Sequence, residues 1–170
     1  MREKTLYARL AWTGMRKNRR LYLPYLLSCA GMVLMFYILM GLSGSEVLGH
    51  MSGGTSSAII LRLGTVVIAV FALIFLFYTH SFLIRRRERE FGLYNVLGMG
   101  KGNIARILLW ETVITYGLTT GTGLLLGVVL YKLAELGMVR LLQVPVTYIL
   151  TVSVSSLLAA AALFAVIHTL

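Results

Sequence analysis

The sequence predicts an all-α integral membrane protein. It has an interfacial amphipathic helix at the N-terminus, four transmembrane helices, and a short cytoplasmic helix between spans two and three. Three observations carry this. Hydrophobic residues make up 58% of the 170 positions and charged residues 13%, and the mean hydropathy is +0.85, far from the soluble average. Four stretches, 21–42, 59–84, 104–131 and 144–170, reach the roughly 20 apolar residues needed to cross about 30 Å of hydrocarbon. They are apolar on every side, without the in-and-out alternation of a membrane barrel.

The net charge of +10 would suggest nucleic acid in a soluble protein, but here the cations follow the loops, and no nucleic-acid partner is expected. Seven of the sixteen Lys and Arg precede the first span, and six run from the end of the second to the start of the third. The connection 43–58 has none, and 132–143 has only Lys132 and Arg140. Short basic loops stay in the cytoplasm. The expected placement is therefore a multi-pass protein of the plasma membrane with the N-terminus and the middle loop inside. Residues 21–42 are too long for a signal-peptide core and read as a retained anchor.

The first element, 4–18, places Leu6, Tyr7, Leu10, Ala11 and Gly14 on one face and Thr5, Arg9, Trp12 and Arg16 on the other. A basic amphipathic helix with Trp and Tyr beside a span lies in the membrane interface. The bland alternative is a positive flank attracting anionic lipid whatever its conformation. Span one carries Pro24 in its first turn, where a missing N–H is tolerated, and the lone Cys29 reads as a small core residue. The Gly/Ser-rich connection after it holds His50, which has no neighbouring ligand, so no metal site is expected. Span two is rich in β-branched and aromatic residues, with Arg62 near its outer end and His80 near its inner end.

After span two the chain reads Arg85-Arg86-Arg87-Glu88-Arg89-Glu90-Phe91-Gly92-Leu93-Tyr94-Asn95-Val96-Leu97-Gly98, a basic run leading into a short helix, 88–98, that ends at glycine. Gly98 to Gly102 resembles a phosphate loop but lacks the preceding strand and the Ser/Thr. It reads as a turn, with Asn103 capping span three. That span contains Gly117-xxx-Gly121 and Gly123-xxx-Gly127 among threonines, spacing that lets helices approach closely within the chain or between protomers. Glu111 is the one carboxylate within a predicted span, so it is either a functional candidate or a hydrogen-bonded interfacial residue. Span four is rich in Ser and Ala. No enzyme constellation is present: there is no aspartate, the six glutamates are scattered, and there is no phosphate loop, zinc motif or Cys pair. No cofactor is expected.

These residues carry a resemblance. The N-terminal basic helix, the first span, and a second span running into Arg89, Glu90, Phe91, Gly92, Leu93, Val96, Leu97, Gly98 and Met99 resemble the FtsX-like permease domain of ABC transporters over essentially the whole chain. The resemblance implies that 88–98 is a coupling helix docked on a cytoplasmic ATPase. Phe91, Tyr94 and Leu97 would then be apolar anchors in a groove, and the arginines would hold the loop at lipid headgroups. Because only about sixteen residues join spans one and two, the chain is most similar to the N-terminal half of ten-span permeases of bacitracin-type resistance and sensing transporters. The end at His168-Thr169-Leu170, without a basic flank, is read as a truncation. The implied function couples ATP hydrolysis to removal or sensing of an antimicrobial peptide, with a sensor histidine kinase as a further partner. The alternative is a non-transport membrane scaffold regulating cell-wall hydrolases. A small secondary transporter is disfavoured, because the spans lack paired ionisable groups.

Overall fold

The computed structural model describes residues 2–45, 48, 53–86, 92, 93, 96, 98, 100–142 and 154–169. Among them are five long helices: α1 (Arg2–Lys17), α2 (Arg19–Ser43), α3 (Gly54–Arg86), α4 (Lys101–Leu142) and α5 (Val154–Thr169). No strand occurs among the described residues. α2, α3 and α4 are each long and apolar enough to cross a membrane. α5 has 16 described residues, about 24 Å at 1.5 Å per residue, so a complete fourth span is not established; residues 144–153 lie outside the described set.

α2 occupies the centre of the bundle, packed against α4, α3 and α5. It runs parallel to α4: Val33 meets Gly123, Tyr37 meets Gly127 and Gly41 meets Tyr131. It runs antiparallel to α3, since Leu39 reaches Gly64 while Tyr25 reaches His80. α5 is antiparallel to α2 and α4. Phe164 sits edge-on to Phe36 at 5.9 Å between ring centroids, and Tyr116 donates a 2.9 Å hydrogen bond to the Ala161 carbonyl. Phe164, Ala160, Cys29 and Val33 are fully buried at this junction.

Away from these contacts the surface is apolar. On α3, Leu63, Val66, Val67, Val70, Ile74 and Phe77 are each more than half exposed. A helix apolar all round, with so much of it outward, matches a lipid solvent and not water.

Three local features, in α4, at Asn103 and at Pro24, differ from the sequence-based expectation. α4 continues through 132–142, which reads as an outer loop by its two cations. Leu133, Ala134, Glu135 and Leu136 favour helix, and no proline intervenes before Pro145. Asn103 does not cap α4: the helix begins at Lys101, and the Asn103 side-chain oxygen instead accepts a 3.1 Å hydrogen bond from the Tyr7 hydroxyl of α1. α1 lies against the start of α4 through that bond and the buried Ala11 and Met15, leaving Arg9, Trp12 and Arg16 exposed. Pro24 lies inside α2, past its first turn, so the Arg20 carbonyl receives no helical N–H from it.

Candidate functional site

The segment between α3 and α4 is where the sequence expects a partner. Gly92, Leu93 and Val96 are helical there and exposed, Leu93 by 59% and Val96 by 85%. Gly98 is an exposed turn residue at φ +87°, a left-handed conformation that glycine adopts without cost and that commonly follows a helix end. Arg89, Glu90, Phe91, Tyr94 and Leu97 lie outside the described residues. The segment follows Arg85 and Arg86 at the end of α3, where the Arg86 guanidinium stands 5.0 Å over the Phe82 ring.

Behind it, the contact between α2 and α4 is built on a strict repeat of four. On α4 the inward positions are Glu111, Thr115, Thr119, Gly123, Gly127, Tyr131 and Glu135, all buried. On α2 they are Tyr25, Cys29, Val33, Tyr37 and Gly41, likewise buried, followed four residues on by Ser45. Small faces large along the seam. A Cβ added at Gly123 would fall 2.7 Å from Val33 Cβ, one at Gly127 3.0 Å from the Tyr37 ring, and one at Gly41 3.0 Å from the Tyr131 ring. A repeat longer than 3.6 drifts around a straight helix, a pattern that favours right-handed wrapping, as in close small-xxx-small crossings. Gly117 and Gly121 lie on the other side of α4, with open space where a Cβ would be.

The seam carries polar groups at both ends. Toward the start of α4, Glu111 is buried beside a cavity of about 20 Å³ shared with Tyr22, Tyr25, His80 and Thr115. The Tyr25 hydroxyl lies 3.4 Å from His80 Nδ1. A larger cavity of about 370 Å³ adjoins it between α3, α4 and α5 and is reached by Ser81, Thr112 and His168. The His168 Nδ1 sits 2.9 Å from the Phe164 carbonyl and therefore donates to it. Glu111, the acid singled out in the sequence, is thus grouped with His80 and Tyr25, which sequence position alone does not bring together. No group of three or more His, Cys, Asp or Glu side chains fit for a metal occurs among the described residues.

At the far end lies a cluster that sequence reasoning misses. Glu135, buried, accepts hydrogen bonds from the Tyr131 hydroxyl (3.1 Å) and the Ser45 hydroxyl (3.3 Å), and pairs with Lys132 Nζ at 2.7 Å. Tyr131 in turn packs edge-on to Tyr37 at 6.0 Å. The available signal is its spacing: Glu135 continues the repeat of four from Gly123 through Gly127 and Tyr131. Assigning 132–143 to a loop hides it.

Residues 62–170 match the family described as FtsX-like permease C-terminal, which covers most of the chain. The chain belongs to the FtsX-like permease family. Its resemblance to the bacitracin export permease protein BceB of Halalkalibacterium halodurans is 26% identity over 157 residues, 92% of this chain and 24% of that protein. BceB of Bacillus subtilis is 24% identical over 131 residues, 77% of this chain and 20% of that protein. A further Bacillus subtilis protein, the uncharacterized ABC transporter permease YvcS, is 27% identical over 131 residues, again 20% of its length. The chain therefore spans about a fifth to a quarter of these relatives. As an FtsX-like permease with three helices fit to span, it is a membrane protein.

Proposed function

We propose that this FtsX-like permease chain is the membrane-coupling part of an ABC transporter. In this reading the segment 88–98 docks on a cytoplasmic ATPase, with Phe91, Tyr94 and Leu97 as apolar anchors, Arg89 and Glu90 at their flank, and Gly98 ending the helix. The observation that carries it is the similarity to BceB, a bacitracin export permease, over 92% of the chain, combined with an exposed apolar helical segment directly before α4. The same similarity favours a transporter over a cell-wall scaffold.

The mechanism is mechanical. Displacement of 88–98 acts on the start of α4, which the glycine-packed seam joins to α2 over more than five turns. The two parallel helices then move as one body, and the Glu135–Ser45 contact carries the motion to the far end. The antiparallel α3 and α5 are the surfaces they slide against. The cargo by analogy is a peptide antibiotic acting at the membrane, and a sensor histidine kinase is a further partner. The N-terminus and 88–98 face the cytoplasm, as their cations require, and α1 lies in the interface with its Arg side chains toward lipid.

The test is co-purification of the protein with a co-expressed ABC ATPase of its transporter type, comparing wild type with Phe91→Glu and Leu97→Glu. Loss of the ATPase from both variants, with membrane insertion intact, is the expected result. Equal recovery from all three sinks the docking assignment.

A further inference from the structure

We propose that the groove between α1, α2 and α4 is a binding site for one anionic phospholipid, with its phosphate held by Arg16 and Arg19 and one acyl chain laid along Leu23, Leu26 and Leu118. It rests on the membrane placement of α2 and is independent of ATPase docking.

The groove has a volume of about 200 Å³, below the roughly 300 Å³ at which pockets for small molecules begin. Its lining follows α2 through Arg19, Tyr22, Leu23 and Leu26. Arg16 and Arg19 stand at one end, while Leu26 lies seven residues beyond Arg19 along α2, about 10 Å deeper at 1.5 Å per residue. The deep walls are leucines of two spans, a surface that an alkyl chain fills and water does not. Trp12, 50% exposed, lines the groove with the arginines, a residue type enriched at the headgroup boundary.

The charges point the same way. No Asp or Glu lines the groove, and among the described residues neither arginine is in an ion pair; the pair found is Lys132–Glu135. Arg16 lies in the last turn of α1, where a cation suits the helix dipole, but Arg19 opens α2, where the dipole disfavours one. An anion beside Arg19 reverses that cost. The break at Asn18 lies between Arg16 at the end of α1 and Arg19 at the start of α2, and both arginines line the one groove. A phosphodiester between two arginines is the charge-assisted contact their geometry suits.

The experiment is native mass spectrometry of the full permease, delipidated in mild detergent and titrated with phosphatidylglycerol or phosphatidylcholine of identical acyl chains. Wild type is expected to retain one phosphatidylglycerol in preference to phosphatidylcholine. Arg16→Ala and Arg19→Ala should each weaken it about fivefold, from roughly 1 kcal/mol per interfacial cation, with Arg19→Lys restoring part of the loss. Leu26→Trp, which fills the groove and leaves the cations in place, should remove the preferred site. Leu118→Phe provides a milder version should the tryptophan variant fail to fold. Equal retention of the two lipids by wild type overturns the proposal, as does phosphatidylglycerol binding unchanged in both Leu26→Trp and Leu118→Phe. Those results would leave the arginines as an unspecific positive flank, whatever the ATPase result.

Discussion

The seam between α2 and α4 makes a prediction that separates two glycine motifs identical in spacing. Substituting Ala at Gly123 places a Cβ 2.7 Å from Val33 Cβ and 2.8 Å from the Ala30 carbonyl oxygen. The carbonyl is backbone, so relief requires moving the helices apart along a seam many turns long. Overpacking of this kind costs about 1–3 kcal/mol. Against it stands the gain of about 0.5–1 kcal/mol from replacing Gly by Ala inside a helix. At Gly117 and Gly121 that gain stands alone, because nothing lies within 4 Å of the added carbon. Subtracting the two kinds of variant cancels the helix term, so Gly123→Ala should be less stable than Gly117→Ala or Gly121→Ala by the steric cost, about 1–3 kcal/mol. Equilibrium unfolding of the purified protein in detergent with increasing SDS gives each value. Adding Val33→Ala to Gly123→Ala should recover only the share of the loss due to Val33 Cγ1, 2.9 Å from the added carbon, because the Cβ at 2.7 Å remains in alanine and contacting residues are coupled. Equal stabilities for Gly117→Ala and Gly123→Ala would refute the packing argument.

Three further outcomes follow from the same geometry. Glu135→Ala should cost about 1–3 kcal/mol in the same unfolding assay, because it strips Tyr131, Ser45 and Lys132 of a shared buried acceptor; a change within about 0.5 kcal/mol would mean the cluster is not a clamp. Tyr7→Phe should lose the bond to Asn103 and with it about 0.5–1.5 kcal/mol, seen as faster protease cleavage within α1 while α2–α4 stay protected. Cys29, fully buried, should resist a membrane-permeant maleimide in the folded protein and react after denaturation in SDS; labelling at equal rates in both states would place it outside the core.

The chain spans about a fifth to a quarter of the length of the permeases it matches. Within that frame, the seam and its two polar ends form one continuous element. Glu111, Tyr25 and His80 mark the end nearest 88–98, and Glu135, Lys132 and Ser45 the opposite end.

Much of the fold is legible in composition. Long apolar stretches give α2, α3 and most of α4, since the bilayer demands backbone satisfied within each segment. Their family is legible in the motif after α3. Less legible were the ends of the helices. A lysine and an arginine suggested a loop at 132–143, but both sit on a helix whose carboxylate, Glu135, is satisfied by tertiary partners. Asn103 had the composition of a cap, yet its partner is Tyr7, 96 positions away.

The two glycine pairs mark the boundary. Sequence alone set Gly121 and Gly123 two residues apart, roughly 200° around an α-helix, so the two motifs had to face different neighbours. Which pair would receive α2 was decided by the tertiary structure, where Val33 and Tyr37 on a parallel helix at matching four-residue spacing fill the gaps at Gly123 and Gly127. Small residues permit a close approach, but only a partner with its bulk at the complementary height uses it.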